Sequence, residues 1–186
     1  MNLWSVSQNS DRWKLLRYNN FGHSVPVINN ALQLANQKTS FIETRIGNKG
    51  EESVAVIDLT PVYKNDVAKA IRKATLLPNG DLIIEDSFEA LTDKSANIER
   101  RFITTAQIEV NDDAVVLTQP SPNDQSVTLK KIVKTQHSVG ASFSVIPCET
   151  DEDYDAKNPG VSILIEKSTL EAGEKAVFTT TFATSK

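Results

Sequence analysis

Apolar and polar positions along this chain change over short distances, in runs of about four to ten residues broken by Asn, Gly, Pro and Asp. That rhythm predicts strands and turns rather than amphipathic helices. Residues 53–59, Ser-Val-Ala-Val-Ile-Asp-Leu, are nearly continuous in apolar character and predict a central strand buried on both faces. Residues 71–77 and 81–88 flank Pro78-Asn79-Gly80 and predict a hairpin, because Gly and Asn tolerate positive φ. A second hairpin is expected between a strand over 102–110 and one over 114–119, turning at Asn111-Asp112-Asp113. Further strands are expected over 127–133, 141–146, 161–166 and 176–182. Val25, Val27 and Ile28 predict one more, entered just after His23. The one helical turn starts at Thr60-Pro61, where Thr can cap and Pro loses no needed donor, and runs through Tyr63.

Strands recurring this closely leave no room for the crossovers that parallel pairs require. The expected fold class is therefore all-β, an antiparallel β-sandwich with one short helical turn. Composition agrees: Val, Ile and Thr supply 46 of 186 residues, and these side chains suit a pleated surface. No repeat or low-complexity linker divides the chain, so residues 1–186 are expected to form one domain. Twenty basic against 24 acidic residues give a net charge of −4, which argues against a nucleic-acid partner. No apolar run approaches the ~18 residues of a membrane helix, so no membrane insertion is expected. Cys148, the single cysteine, has no internal disulfide partner.

Candidate chemistry is sparse. There is no glycine-rich phosphate loop, no zinc spacing of paired His, and no Gly-x-Ser-x-Gly elbow. His23, at a strand entrance, can hydrogen-bond a neighbouring carbonyl or serve as a metal ligand or proton-transfer group. His137 lies among polar residues and is expected in solvent. Asp58 precedes the helical turn and is expected to accept from backbone N–H groups. Tyr63 reads as a packing residue with its hydroxyl at the surface. The acidic run from Glu149 to Asp155 reads as a solvated loop. Four of the twelve aromatics, Trp4, Trp13, Tyr18 and Phe21, are gathered in the first thirty residues.

Several of these segments together resemble a known family. Trp13-Lys14 through Arg17, then Phe21-Gly22-His23-Ser24-Val25 with Asn29-Asn30 and Gln33, is similar to a motif of heparinase II/III-like polysaccharide lyases. Residues 55–63, Ala-Val-Ile-Asp-Leu-Thr-Pro-Val-Tyr, resemble the segment that follows it. Arg72 followed by Ile83-Ile84-Glu85-Asp86 resembles a third family segment, and Tyr154-Asp155 with Asn158-Pro159-Gly160-Val161 and Ala172-Gly173-Glu174 resembles the closing strands. The likeness runs in order over essentially the whole chain. One departure is Ser24, which stands where the family has Asn.

The resemblance implies the C-terminal β-sandwich of such a lyase, a fragment lacking the α/α-toroid that precedes it. It implies β-elimination on an acidic, uronic-acid polysaccharide, with the catalytic groups on missing segments, so that the chain alone is expected to be inactive. It implies zinc or a similar divalent ion in the parent, with His23 as one ligand and the others upstream, and none bound by this chain alone. Asp58 and Tyr63 are then expected at the interface with the toroid, and the setting is periplasmic or secreted. The alternative is a non-catalytic carbohydrate-binding or structural sandwich module, which would show two or three aromatics on one exposed face. Beyond residue 30 the aromatics mostly occupy apolar strand contexts, which favours core over platform.

Overall fold

The computed structural model describes residues 3–111, 114–150 and 153–184. Its strands are β1 (Pro26–Ile28), β2 (Ser40–Arg45), β3 (Ser53–Asp58), β4 (Val67–Leu76), β5 (Leu82–Ala90), β6 (Ala96–Thr104), β7 (Gln107–Val110), β8 (Val115–Pro120), β9 (Thr128–His137), β10 (Ser142–Pro147), β11 (Ser162–Leu170) and β12 (Lys175–Thr184). They form a four-stranded sheet, ordered β1-β6-β11-β10, and an eight-stranded sheet, ordered β2-β3-β4-β5-β12-β9-β8-β7. Every pairing is antiparallel. The all-β sandwich read from the sequence is the fold observed. The helical turn is α1 (Thr60–Tyr63), with Pro61 at its start. The β4–β5 hairpin turns where Pro78-Asn79-Gly80 predicted, with Gly80 at φ +83° and Leu77 N–H donating to Asp81 O at 2.9 Å.

Two expectations about strands need correction. The stretch 102–110 is not one strand. It breaks at Thr105-Ala106, where the chain leaves the small sheet (β6) and enters the large one (β7). The alternation of apolar residues continues through that corner, so periodicity alone does not reveal it. Of the turn that follows, Asp112 and Asp113 lie outside the described residues; Asn111 N–H donates to Ala114 O at 3.0 Å. Nor is β3 buried on both faces, since Val54 alone is buried and its other residues are half-buried. The large sheet extends beyond the small one, and β3 with its neighbour β2 forms the overhang.

Two apolar clusters fill the space between the sheets. One joins Ile28, Ile98 and Leu170 of the small sheet to Tyr63, Phe88 and Phe178 opposite, with the Phe88 and Phe178 rings edge-on at 6.0 Å. The other packs Phe102 and Leu164 against Val115, Val133 and Phe182. Each large side chain so buried contributes on the order of 1.5–3 kcal/mol. A third cluster, Cys148, Ile163 and Ile165, lies on the back of the small sheet under Leu16 of the N-terminal segment. No residue of β2 or β3 belongs to any of the three.

Candidate functional site

Residues 21–25 connect a 3-10 turn (Asn20–Gly22) to the edge strand β1, so His23 stands at a strand entrance as expected. Its ring is exposed, and Nε2 lies 3.1 Å from Arg17 O. A carbonyl only accepts, so Nε2 donates in this contact and Nδ1 is the ring nitrogen left to serve as a ligand. This is the arrangement in which a metal-binding imidazole is usually held.

The rest of the loop is clamped. Ser24 Oγ accepts from Ile103 N–H at 2.9 Å, and Ser24 O accepts from Arg72 Nη1 at 2.6 Å. Phe21 O accepts from Arg101 Nη1 at 2.9 Å. Gly22 lies so close to Leu16 that an added Cβ would stand 2.2 Å from its carbonyl oxygen. Ser24, the departure from the family pattern, thus fixes the backbone beside the imidazole.

The clamp leads into a buried charge network that sequence reasoning missed. Arg72 grips Asp86 with two bonds, Nε to Oδ1 at 2.6 Å and Nη2 to Oδ2 at 2.8 Å. Arg100 Nε donates to the same Oδ2 at 2.7 Å, while its Nη1 donates to Thr180 Oγ1 at 2.7 Å and to Glu166. Asp86, Arg100 and Glu166 are all buried between the sheets. Burial pulls the Asp86 carboxyl up, but the two arginines outweigh it and hold it below the usual carboxylate range. Burial pushes the Glu166 carboxyl up, and Arg100 recovers only part of that cost. A signal was present in the sequence: Arg100 falls on the inward beat of Ala96, Ile98 and Phe102, all of them buried.

Other expected site residues fall in place as follows. Asp58 Oδ1 accepts from Thr60 N–H at 2.9 Å, the turn-forming role read from its position. Tyr63 corrects the sequence reading, because its hydroxyl is buried rather than at the surface. It donates to Pro26 O and accepts from Gln33 Nε2 at 2.7 Å, and burial drives its pKa well above the ordinary phenol value. The acidic loop is not wholly solvated either. Asp155 is buried and accepts from Leu16 N–H at 2.5 Å and Ala156 N–H at 2.8 Å, pinning the loop to the N-terminal segment. Asp151 and Glu152 lie outside the described residues. Among the described residues no group of three or more His, Cys, Asp or Glu gathers to hold a metal ion. The residues present therefore fit one ligand of a metal site, His23 Nδ1, and not a whole site.

The β-sandwich is shared with known lyases. This is the fold of heparinase III. A crystal structure of heparinase III superposes with a TM-score of 0.67 at 13% identity, covering 96% of this chain and 26% of that one. A second heparinase III gives 0.60 at 13% identity over 86% of this chain and 23% of its own. Heparan sulfate lyase HepC from Pedobacter heparinus gives 0.58 at 9% identity, over 86% and 24%. This chain thus spans about a quarter of the length of the heparinase structures it matches. No protein-family model and no curated protein sequence matches it.

Proposed function

We propose that this chain is the C-terminal β-sandwich of a larger heparinase II/III-like lyase, which cleaves uronic-acid glycans by β-elimination. The observation that carries this reading is the fold match, nearly complete for this chain but covering only a quarter of heparinase III. In β-elimination the uronate carboxylate is neutralised, a base removes the C5 proton, and an acid protonates the departing oxygen. The base and acid belong to the rest of the parent. This chain contributes a rigid face and a clamped loop, where His23 Nδ1 would give one donor to a zinc-type ion that holds the loop.

The overhang of the large sheet supports a docked partner domain. By register, Phe41, Ala55, Ala74 and Leu76 lie on the same face as Ile84 and Asp86, the face the small sheet covers elsewhere. Phe41 is 67% and Leu76 50% exposed. A depression of about 240 Å³ on this face is lined by Thr44, Ile46, Ala55, Ala74, Leu76 and Leu82. An apolar face of this kind fits the missing toroid. Asp58 would act there through the turn it shapes, and Tyr63 as a support behind the surface. The lyase belongs in the periplasm or outside the cell, where such glycans occur.

The test is formation of unsaturated product from heparan sulfate, hyaluronan or alginate, followed by ultraviolet absorbance. The parent, translated from the full reading frame, is expected to give product with at least one of them and the 186-residue chain with none. Turnover by this chain alone, or no product from the parent with any of the three, would overturn the proposal.

A further inference from the structure

The N-terminal segment carries a second feature that the lyase reading does not use. Of the six arginines in the chain, five have a carboxylate within 4 Å: Arg17, Arg45, Arg72, Arg100 and Arg101. Arg12 has none among the described residues. Its guanidinium lies over two rings instead, with Cζ 5.0 Å from the Trp13 centroid and 5.1 Å from that of Tyr18. Its Nε is shut off from solvent without a hydrogen-bond partner. Trp4, 93% exposed, stands across an open cleft of about 300 Å³ lined by Leu3, Trp4, Arg12 and Tyr18. Beyond Tyr18 a second hollow, about 180 Å³, continues along Trp13, Leu34 and Val62.

The walls of the cleft are anchored. Gln8 donates to Gln33 O at 3.2 Å and accepts from Ala35 N–H at 2.6 Å, and Asn36 Nδ2 donates to Val6 O at 3.1 Å. Trp13 Nε1 donates to Ser7 O at 2.8 Å, which fixes the indole under Arg12. A guanidinium held over two rings still needs hydrogen-bond acceptors at its edge, and its fork fits a carboxylate or sulfate. The exposed Trp4 indole beside it suits the apolar C–H face of a sugar ring. Both chemistries meet in one class of ligand.

We propose that the Trp4–Arg12–Tyr18 cleft binds an acidic saccharide, with its carboxylate or sulfate on Arg12 and a sugar ring against Trp4. The ligand class follows from the cleft and holds whether or not the parent is a lyase.

Both tryptophans of the chain, Trp4 and Trp13, border these two hollows, so their emission reports on occupancy directly. The 186-residue protein is titrated with a heparan sulfate hexasaccharide, with cellohexaose and with inorganic sulfate. Affinities are measured by calorimetry alongside the emission. The hexasaccharide is expected to shift the emission and to bind at least about tenfold more tightly than cellohexaose. Arg12→Gln should remove that difference, and Trp4→Ala should weaken the hexasaccharide by about fivefold with the fold intact. No emission change at millimolar hexasaccharide overturns the inference. So does equal binding of cellohexaose, sulfate binding as well as the hexasaccharide, or unchanged affinity in Arg12→Gln. Binding by this chain when the parent yields no unsaturated product would remove the lyase reading and leave the cleft; the reverse result would do the opposite.

Discussion

The inner face of the large sheet is treated in two ways within one molecule. Over β5, β12 and β9 it is sealed by the small sheet, with Phe88, Phe178 and Val133 buried and an Asp86–Arg100–Glu166 network enclosed among them. Over β2 and β3 the same face is open, and all six residues of β2 are exposed. Yet the open part keeps interior chemistry, since Phe41, Ile42, Ile46 and Leu76 all face water. Antiparallel pairing runs from one part to the other, with a register shift between Phe41 and Glu43 and another between Val67 and Lys69, so the main difference lies in cover and not in strand formation. Cohesion of this domain therefore rests on the sealed half, while the overhang is free to serve an interface.

The largest predicted effect follows from that division. Arg100→Met leaves Glu166 buried without its cation and Asp86 with Arg72 alone, and should cost about 3–5 kcal/mol by chemical denaturation. A loss under 1 kcal/mol would show that the sealed half does not depend on this network. Gly22→Ala comes next, at about 1–3 kcal/mol, because its Cβ would collide with the Leu16 carbonyl. Unchanged stability there would mean the loop bearing His23 is not clamped.

A pH series sharpens the contrast between the two buried carboxyls. Asp86, held below its ordinary value of 3.8, contributes stability that is complete above that pH and drains away as pH falls through the lower folded value. Glu166, raised above its ordinary 4.5, works in the opposite sense: its contribution is present below 4.5 and is lost as pH rises through the raised value. The melting temperature should therefore fall in acid below pH 3.8 and decline more gently above 4.5. Glu166→Gln should flatten the upper decline and leave the acid limb in place. Thermal melts of the two proteins across pH check both limbs. The smallest effect belongs to the overhang, where Phe41→Ser should change stability by no more than about 0.5 kcal/mol. A loss of several kcal/mol would mean that β2 already supports the core.

Much of the sandwich was legible because local chemistry and final structure agree. Gly80 makes the hairpin, Pro61 opens the helical turn, Asp58 accepts from Thr60 N–H in the step before that turn, and His23 marks a strand entrance. What stayed hidden depends on sheet pairing. Thr105-Ala106 changes sheets in mid-pattern, and residues 53–59 look fully buried because an overhang retains apolar residues. Arg100 and Glu166 drew no role from the sequence, and only sheet register brings them inward to meet Asp86. The N-terminal aromatics stood out in sequence, but Arg12 over Trp13 and Tyr18 became visible only once the segment was folded.

The central proposal, that a partner domain covers the open face, can be measured at one position. Leu76→Cys places a reporter thiol on the overhang beside a single native cysteine, Cys148, which is buried. Thiol labelling is followed in the 186-residue chain and in the protein translated from its full upstream reading frame. The account predicts rapid labelling of the short chain and at least tenfold slower labelling of the long one. Equal rates would contradict it.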